Sequence, residues 1–386
     1  MRLQTITYRE MIGSPQEWAL DGLTLFDRNL IVGKNASGKS RTIGVINSIA
    51  AHFIGWLLPG LSTSYDVVFT HEGKSLRYEL ECEQYQVIAE RFTVDEAVLL
   101  ERGEGGKGFI KYEKIGDGER IEFQTPTNEL AVVARRDNIQ HPFLEPLHAW
   151  GSSVRLFQFG TPLGKHLFAR RTDMEGAQAN ESNPDEVVAR YQQGTDKFGS
   201  QFSNAVMNDM NDIGYEIENI DIEVPLRLQF ERRNIYSDIV SLSVKERDLA
   251  GITDQESMSQ GMFRALSILV QVNYSQMAQK ATCILIDDIG EGLDFDRSCR
   301  LINILREKAQ ESNIQLILST NDRFVMNEVP LDEWSVLQRE GSRVRVRNYE
   351  NSRDIFEDFR FTGLSNFSFL EMDFINEPLK EIAIHE

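Results

Sequence analysis

Three kinds of hydrophobic pattern alternate along the chain. Near-continuous apolar runs occur at Leu30-Ile31-Val32, Cys283-Ile284-Leu285-Ile286 and Gln315-Leu316-Ile317-Leu318, as expected for strands buried on both faces. Strict apolar–polar alternation marks Leu76 to Cys82 and Phe109 to Tyr112. With the turn residues Glu72-Gly73, Gly103 to Gly108 and Gly116-Asp117-Gly118 between such stretches, it predicts an antiparallel meander. Helical stretches are predicted over Arg41 to Leu58, Glu186 to Met210 and Leu301 to Glu311, and the polar stretch Thr172 to Asp185 reads as a loop. No internal repeat and no sustained heptad array is present, so no long coiled-coil arm is expected.

The first apolar run points to chemistry as well as structure. A strand over Leu23 to Val32 leads into Gly33-Lys34-Asn35-Ala36-Ser37-Gly38-Lys39-Ser40, and a helix begins at Arg41. This is a complete G-x-x-x-x-G-K-[ST] loop in its strand–loop–helix context. Backbone N–H groups of such a loop, with the positive end of the adjoining helix, suit a polyphosphate. Lys39 would reach the β/γ-phosphates and the Ser40 hydroxyl would ligate Mg²⁺. The expected ligands are therefore ATP and Mg²⁺.

Composition limits the setting. Sixty acidic against forty-one basic residues give a net charge of −19, which opposes sequence-independent nucleic-acid binding by the chain as a whole. The pairs Arg170-Arg171 and Arg232-Arg233 read as ordinary surface charge. No run of eighteen apolar residues and no signal-peptide layout is present, so no membrane contact is expected. Three scattered cysteines (Cys82, Cys283, Cys299) without metal-ligand spacing fit a reducing cytoplasm.

A phosphate loop requires an acidic partner for Mg²⁺ at the end of another buried strand. Cys283 to Asp288 supplies one, with Asp287 placed for the metal and Asp288 for a base or water-positioning carboxylate. Upstream, Met258-Ser259-Gln260-Gly261-Met262-Phe263-Arg264 resembles the Ser-x-Gly signature of ABC-type ATPases. Asp287-Asp288-Ile289-Gly290-Glu291-Gly292-Leu293-Asp294 resembles that family's acidic strand and D-loop, and Leu318-Ser319-Thr320-Asn321-Asp322 ends where the family carries its switch residue. With four motifs in order, the chain resembles an ABC-type ATPase head of the RecF/SMC/OLD-like branch. More loosely, it is similar to compact OLD/AbiEii-like bacterial anti-phage ATPases.

The resemblance implies an α/β P-loop NTPase fold with an antiparallel β subdomain and a helical insertion. It divides the chain into 1–60 (N-terminal strands and phosphate loop), 61–160 (β-rich part of the head), 161–250 (helical insertion), 251–330 (signature, acidic strand and switch region) and 331–386 (C-terminal capping or partner-docking segment). It also implies that two heads sandwich ATP. Gly33 to Arg41 of one head would hold the nucleotide, and Ser259, Gln260 and Gly261 of the other would meet the γ-phosphate. The catalytic candidates are Asp288, Asn321 and Glu291; the metal candidates are Ser40, Asp287 and Gln158. Gln158 is either a Q-loop residue sensing Mg²⁺ or a plain sheet residue, and Tyr8 either stacks on adenine or packs in the core. Asp288 for the usual glutamate and Asn321 for the usual histidine predict slow hydrolysis, because asparagine cannot take up a proton. Glu291 is a nearby compensating carboxylate, though its D-loop position favours a cross-subunit contact.

Three functional readings are compatible with these motifs: a homo-oligomeric defence ATPase controlling a separate effector chain such as a nuclease, a RecF-like repair ATPase that clamps DNA, and a non-catalytic scaffold stabilised by ATP. The aromatic-rich stretch Phe359 to Leu370 is either a terminal segment packed on the core or a docking surface.

Overall fold

In the computed structural model, residues 1–112, 119–174, 183–229 and 238–376 are described. The Gly116-Asp117-Gly118 turn, most of the polar stretch after Met174, and Arg232-Arg233 lie outside them. The chain forms two compact units, residues 1–154 with 329–386, and residues 155–328.

Among the described residues, the first unit is built on eleven strands. In spatial order they are Arg28–Val32, Trp334–Glu340, Arg343–Asn348, Trp18–Thr24, Arg2–Glu10, Ser62–His71, Lys74–Glu83, Gln86–Val94, Ala97–Arg102, Lys107–Lys111 and Arg120–Gln124. The strand expected over Leu23 to Val32 is two strands. Asn29 closes the turn between them: its Oδ1 accepts from Phe26 N–H at 2.8 Å and its Nδ2 donates to Phe26 O at 2.8 Å. Arg28–Val32 pairs in parallel with Trp334–Glu340, so the C-terminal hairpin flanks the strand that feeds the phosphate loop. From Arg2–Glu10 onward the strands run antiparallel, as the alternating pattern predicts.

Helix Lys39–Phe53 and helix Glu145–Ser153 pack together. A Cβ at Gly151 would stand 2.7 Å from Ala50 O, so only glycine permits this approach. Phe53, Phe69, Tyr78 and Trp150 interlock beneath, mostly edge to face, with centroids 4.8–6.1 Å apart. Further along the sheet, Glu90 and Arg102 form a fully buried ion pair. Tyr78 O–H and the N–H groups of Ala131 and Val132 also donate to Glu90, so its charge is fully partnered. Of the aromatic-rich C-terminal stretch, Phe359 and Phe369 are buried together with Phe356 and Phe374, whereas Phe361 is 88% exposed. Phe359 and Phe369 therefore anchor the stretch on its own unit, while Arg360, Phe361 and Gly363 to Ser365 are exposed.

In the second unit, strands Val154–Gln158, Thr282–Asp287 and Ile314–Ser319 stand side by side, and the last two are parallel and wholly buried. Helix Gln260–Met277 is buried nearly all round, as a central helix of an α/β layer should be. The helical stretch near Glu186 to Met210 is two helices, Val187–Phe198 and Ser200–Ile213, divided at Gly199 by a backbone only glycine adopts readily (φ 62°, ψ −149°). Alongside these helices, the expected helical insertion holds strands Ala169–Arg170, Ile217–Glu223 and Ile239–Glu246 of a small antiparallel sheet, which Thr253–Asp254 joins from just beyond it.

Candidate functional site

The phosphate loop is shaped by its glycines. Gly33 (φ 158°) has no room for a Cβ, which would meet Leu337 O at 2.7 Å and Ser37 Oγ at 2.6 Å. Gly38 is left-handed (φ 106°) and caps helix Lys39–Phe53 without a side-chain hydrogen bond. No acidic residue occupies the first turn, so nothing on the helix itself neutralises its positive end. The Lys39 ammonium is folded into the loop and donates to Gly33 O at 2.8 Å. Ser40 is exposed at the start of the helix. Ser37 is buried and its Oγ has no partner, while its N–H closes the loop onto Lys34 O at 3.1 Å.

The remaining loop cations are engaged elsewhere. Lys34 pairs with Asp373 at 2.9 Å, and Arg41 donates to Glu10 at 2.7 Å while lying over the Trp18 ring. Asn35 and Ala36 are exposed, and Ala36 O accepts from Arg339 at 3.4 Å. Tyr8 is buried, donates to Glu10 at 3.0 Å and stacks on Tyr65, so it is a core residue. Burial, reinforced by the Glu10 carboxylate, pushes its phenol pKa upward.

In the second unit the acidic residues are locked by a serine that the sequence did not single out. Ser319 is fully buried; its Oγ donates to Asp287 Oδ1 at 2.6 Å and accepts from Asp288 N–H at 3.0 Å. It thus fixes Asp287 and Asp288 against the end of the neighbouring strand. Asp288 has a left-handed backbone (φ 56°), a costly conformation at a non-glycine residue. Asn321 Nδ2 donates to Asp288 Oδ1 at 3.0 Å, so the expected switch and base positions are in direct contact. Phe159 N–H donates to Asp287 O at 3.0 Å, which brings the exposed Gln158 beside the same carboxylate-bearing strand end.

Removing the serine hydroxyl should leave Asp288 N–H without its partner and Asp287 with one fewer. Ser319→Ala is therefore expected to cost about 1.5 kcal/mol in urea unfolding. A change below about 0.3 kcal/mol would show that the hydroxyl does not hold the two aspartates.

The signature residues form a helix start. Ser259 is the N-cap of helix Gln260–Met277, exposed, with its side chain accepting from Met262 N–H at 3.1 Å. Gly261 lies against the D-loop, where a Cβ would meet Gly292 O at 2.4 Å. Gln260 Nε2 donates to Thr161 O at 3.3 Å. Arg264, also not anticipated, ties this region together by donating to Glu291 O at 2.6 Å and Thr161 O at 3.2 Å. Burial draws its guanidinium pKa below the ordinary value. Glu291 itself is exposed in the D-loop.

The chain was also compared with known proteins as a whole. A family model described as "AAA domain, putative AbiEii toxin, Type IV TA system" matches residues 28–327. The chain belongs to that family. The chain is also similar to the SMC head bound to the C-terminal winged-helix domain of ScpA, with TM-score 0.55 and 10% identity, over 92% of this chain and 100% of that one. It matches the SMC head domain from Thermotoga maritima with TM-score 0.43 and 13% identity, over 90% of this chain and 99% of that one. The Pyrococcus furiosus SMC head with an extended coiled coil, bound to the C-terminal domain of ScpA, gives TM-score 0.47 and 12% identity, over 93% and 99%. No curated protein matches. The molecule is thus an AAA-domain protein of that family with an α/β fold like that of an SMC head, and no long coiled coil is present among the described residues.

Proposed function

We propose that this protein binds ATP·Mg²⁺ between paired heads, hydrolyses it slowly, and acts as the sensor or scaffold subunit of a bacterial anti-phage or toxin–antitoxin-like system controlling a separate effector. The observation that carries slow hydrolysis is the Asp288–Asn321 contact at 3.0 Å. Asp288 is the candidate carboxylate for orienting water, and one of its oxygens already accepts from an amide. Asn321 holds that carboxylate in place but has no proton to exchange near neutral pH.

In this reading Lys39 and the uncapped N–H groups of helix Lys39–Phe53 hold the phosphates, and Arg41 flanks them while tied to Glu10. Each unit by itself carries donors of the kind Mg²⁺ takes: a hydroxyl at Ser40 in the first, and in the second a carboxylate at Asp287 and an amide oxygen at Gln158. The metal, when bound, supplies charge neutralisation of the phosphates. Ser259, Gln260 and Gly261 present a helix N-terminus to a second copy, and Glu291 of the D-loop accompanies them.

Turnover by the purified protein is expected at or below about 1 s⁻¹, against about 10 s⁻¹ for a median enzyme. A rate in the tens per second, measured by phosphate release and abolished by Asp287→Ala, would overturn slow hydrolysis. The effector reading is supported by the toxin–antitoxin wording of the family description and, by analogy of fold, by an SMC head that is bound to ScpA. A clamp on duplex DNA is the second reading; the net charge of −19 weighs against it.

A further inference from the structure

The C-terminal segment reaches back to the phosphate loop, and both belong to the first unit. Lys34 Nζ donates to Asp373 Oδ2 at 2.9 Å, across 339 positions of sequence. An ion pair at the surface adds little stability, but the place of this one gives it another consequence. Lys34 and Lys39 are the two basic residues of Gly33 to Ser40, so Asp373 offsets one of the loop's two positive charges. The two lysines are also joined through the backbone. Lys34 O accepts from Lys39 Nζ at 3.5 Å and from Ser37 N–H at 3.1 Å.

The carboxylate is held in place. Asn376 Nδ2 donates to Asp373 Oδ1 at 2.9 Å, so each carboxylate oxygen has a partner. Gln338 Nε2 in turn donates to Asn376 Oδ1 at 3.1 Å. Gln338 follows Leu337, whose carbonyl oxygen leaves Gly33 no room for a Cβ. One strand therefore shapes the loop and anchors the turn that bears Asp373. On the other side, Phe374 is buried against Phe359 and Phe369, with centroids 5.1 and 5.9 Å away.

Local structure gives no reason for an aspartate at this position. Helix Asn366–Glu371 ends in a Schellman turn: Phe374 N–H donates to Phe369 O at 3.1 Å and Asp373 N–H to Leu370 O at 3.2 Å. Asp373 takes the left-handed position of that turn (φ 54°), which usually falls to glycine or asparagine. A carboxylate there also meets the negative end of the helix. What the carboxylate gains is Lys34, and the pair stands open to an incoming anion, with side chains 70% and 39% exposed. We propose that Asp373 is a tethered counter-ion that competes with nucleotide phosphates for Lys34, so that loading of the loop and docking of the C-terminal turn oppose each other. This rests on the reading that the loop binds ATP·Mg²⁺.

Asp373→Asn removes the charge and keeps the rest. Asparagine suits a left-handed position, and its Oδ1 can still accept from Asn376. The experiment is calorimetric titration of the full chain with ATP·Mg²⁺, for wild type, Asp373→Asn, Lys34→Met and the double variant. Asp373→Asn is expected to bind about fivefold more tightly than wild type, and the gain should fall below about twofold when Lys34 is already methionine. The reciprocal readout is amide hydrogen exchange at Phe374 and Asn376. It should quicken in wild type when ATP·Mg²⁺ is added, and be quick without nucleotide in Asp373→Asn. Equal affinities of wild type and Asp373→Asn, the same gain with and without Lys34, or exchange unmoved by ATP·Mg²⁺ would each overturn the proposal while leaving ATP binding intact. Absence of binding by both wild type and Asp373→Asn would defeat the ATP reading itself, and this proposal with it.

Discussion

Lys39→Ala should weaken ATP binding at least about 100-fold while leaving the chain folded, because a charge-assisted phosphate contact in a partly desolvated loop is worth several kcal/mol. The Lys39 side chain is 6% exposed and points its ammonium into the loop, where it donates to Gly33 O at 2.8 Å. Neighbouring cations cannot substitute cheaply. Lys34 is held by Asp373, Arg41 by Glu10 and the Trp18 ring, and Arg339 by Ala36 O. Calorimetric titration with ATP·Mg²⁺ checks the loss, and an unchanged unfolding midpoint in urea separates it from misfolding. Lys39→Arg should recover part of the charge but misplace it, since a planar guanidinium does not fit where a compact ammonium sits. A loss below about tenfold for Lys39→Ala would mean that the loop does not carry the phosphates.

What the sequence made legible was chemistry that is local along the chain. The phosphate loop requires its glycines and lysine at fixed spacing, and the acidic strand requires an apolar run ending in aspartate. The two parallel strands of the second unit were equally plain, because burial on both faces leaves an unbroken apolar run.

Structure that depends on residues distant in sequence was not legible. Ser319 and Arg264 look like any strand-end serine or helix arginine until the fold sets one against Asp287 and the other against the D-loop carbonyl of Glu291. The sequence left Tyr8 between adenine and core, and only its contacts with Tyr65 and Trp18 decide for the core. Some local features were hidden as well. The turns Gln84-Tyr85 and Asp95-Glu96 adopt left-handed backbones without a glycine to announce them. The turn through Phe26 is made by the side chain of Asn29, inside what reads as one apolar strand.

Ser259→Arg should leave ATP binding by a single chain within about threefold of wild type and abolish ATP-dependent pairing, since a rim cation tunes little whereas a blocked interface centre removes association. The side chain is exposed at the N-cap, so an arginine can be accommodated without entering the core. The helix cannot shift to absorb it on the D-loop side, because Gly261 already packs against Gly292 O with no room for a Cβ. Loss of the cap to Met262 N–H costs about 1 kcal/mol, small beside the burial of fifteen of the helix's residues. Ser259→Ala isolates that cost: it removes the cap without adding bulk, and should weaken pairing far less than the arginine does. The readout is mass in solution with and without ATP·Mg²⁺. Pairing by wild type that is lost in Ser259→Arg and largely kept in Ser259→Ala would place the signature of one copy against the nucleotide of another. Normal pairing by Ser259→Arg would mean that Met258 to Arg264 is only a capped helix start. A wild-type mass indifferent to ATP would make the molecule a constitutive scaffold, with its switch outside the nucleotide sandwich.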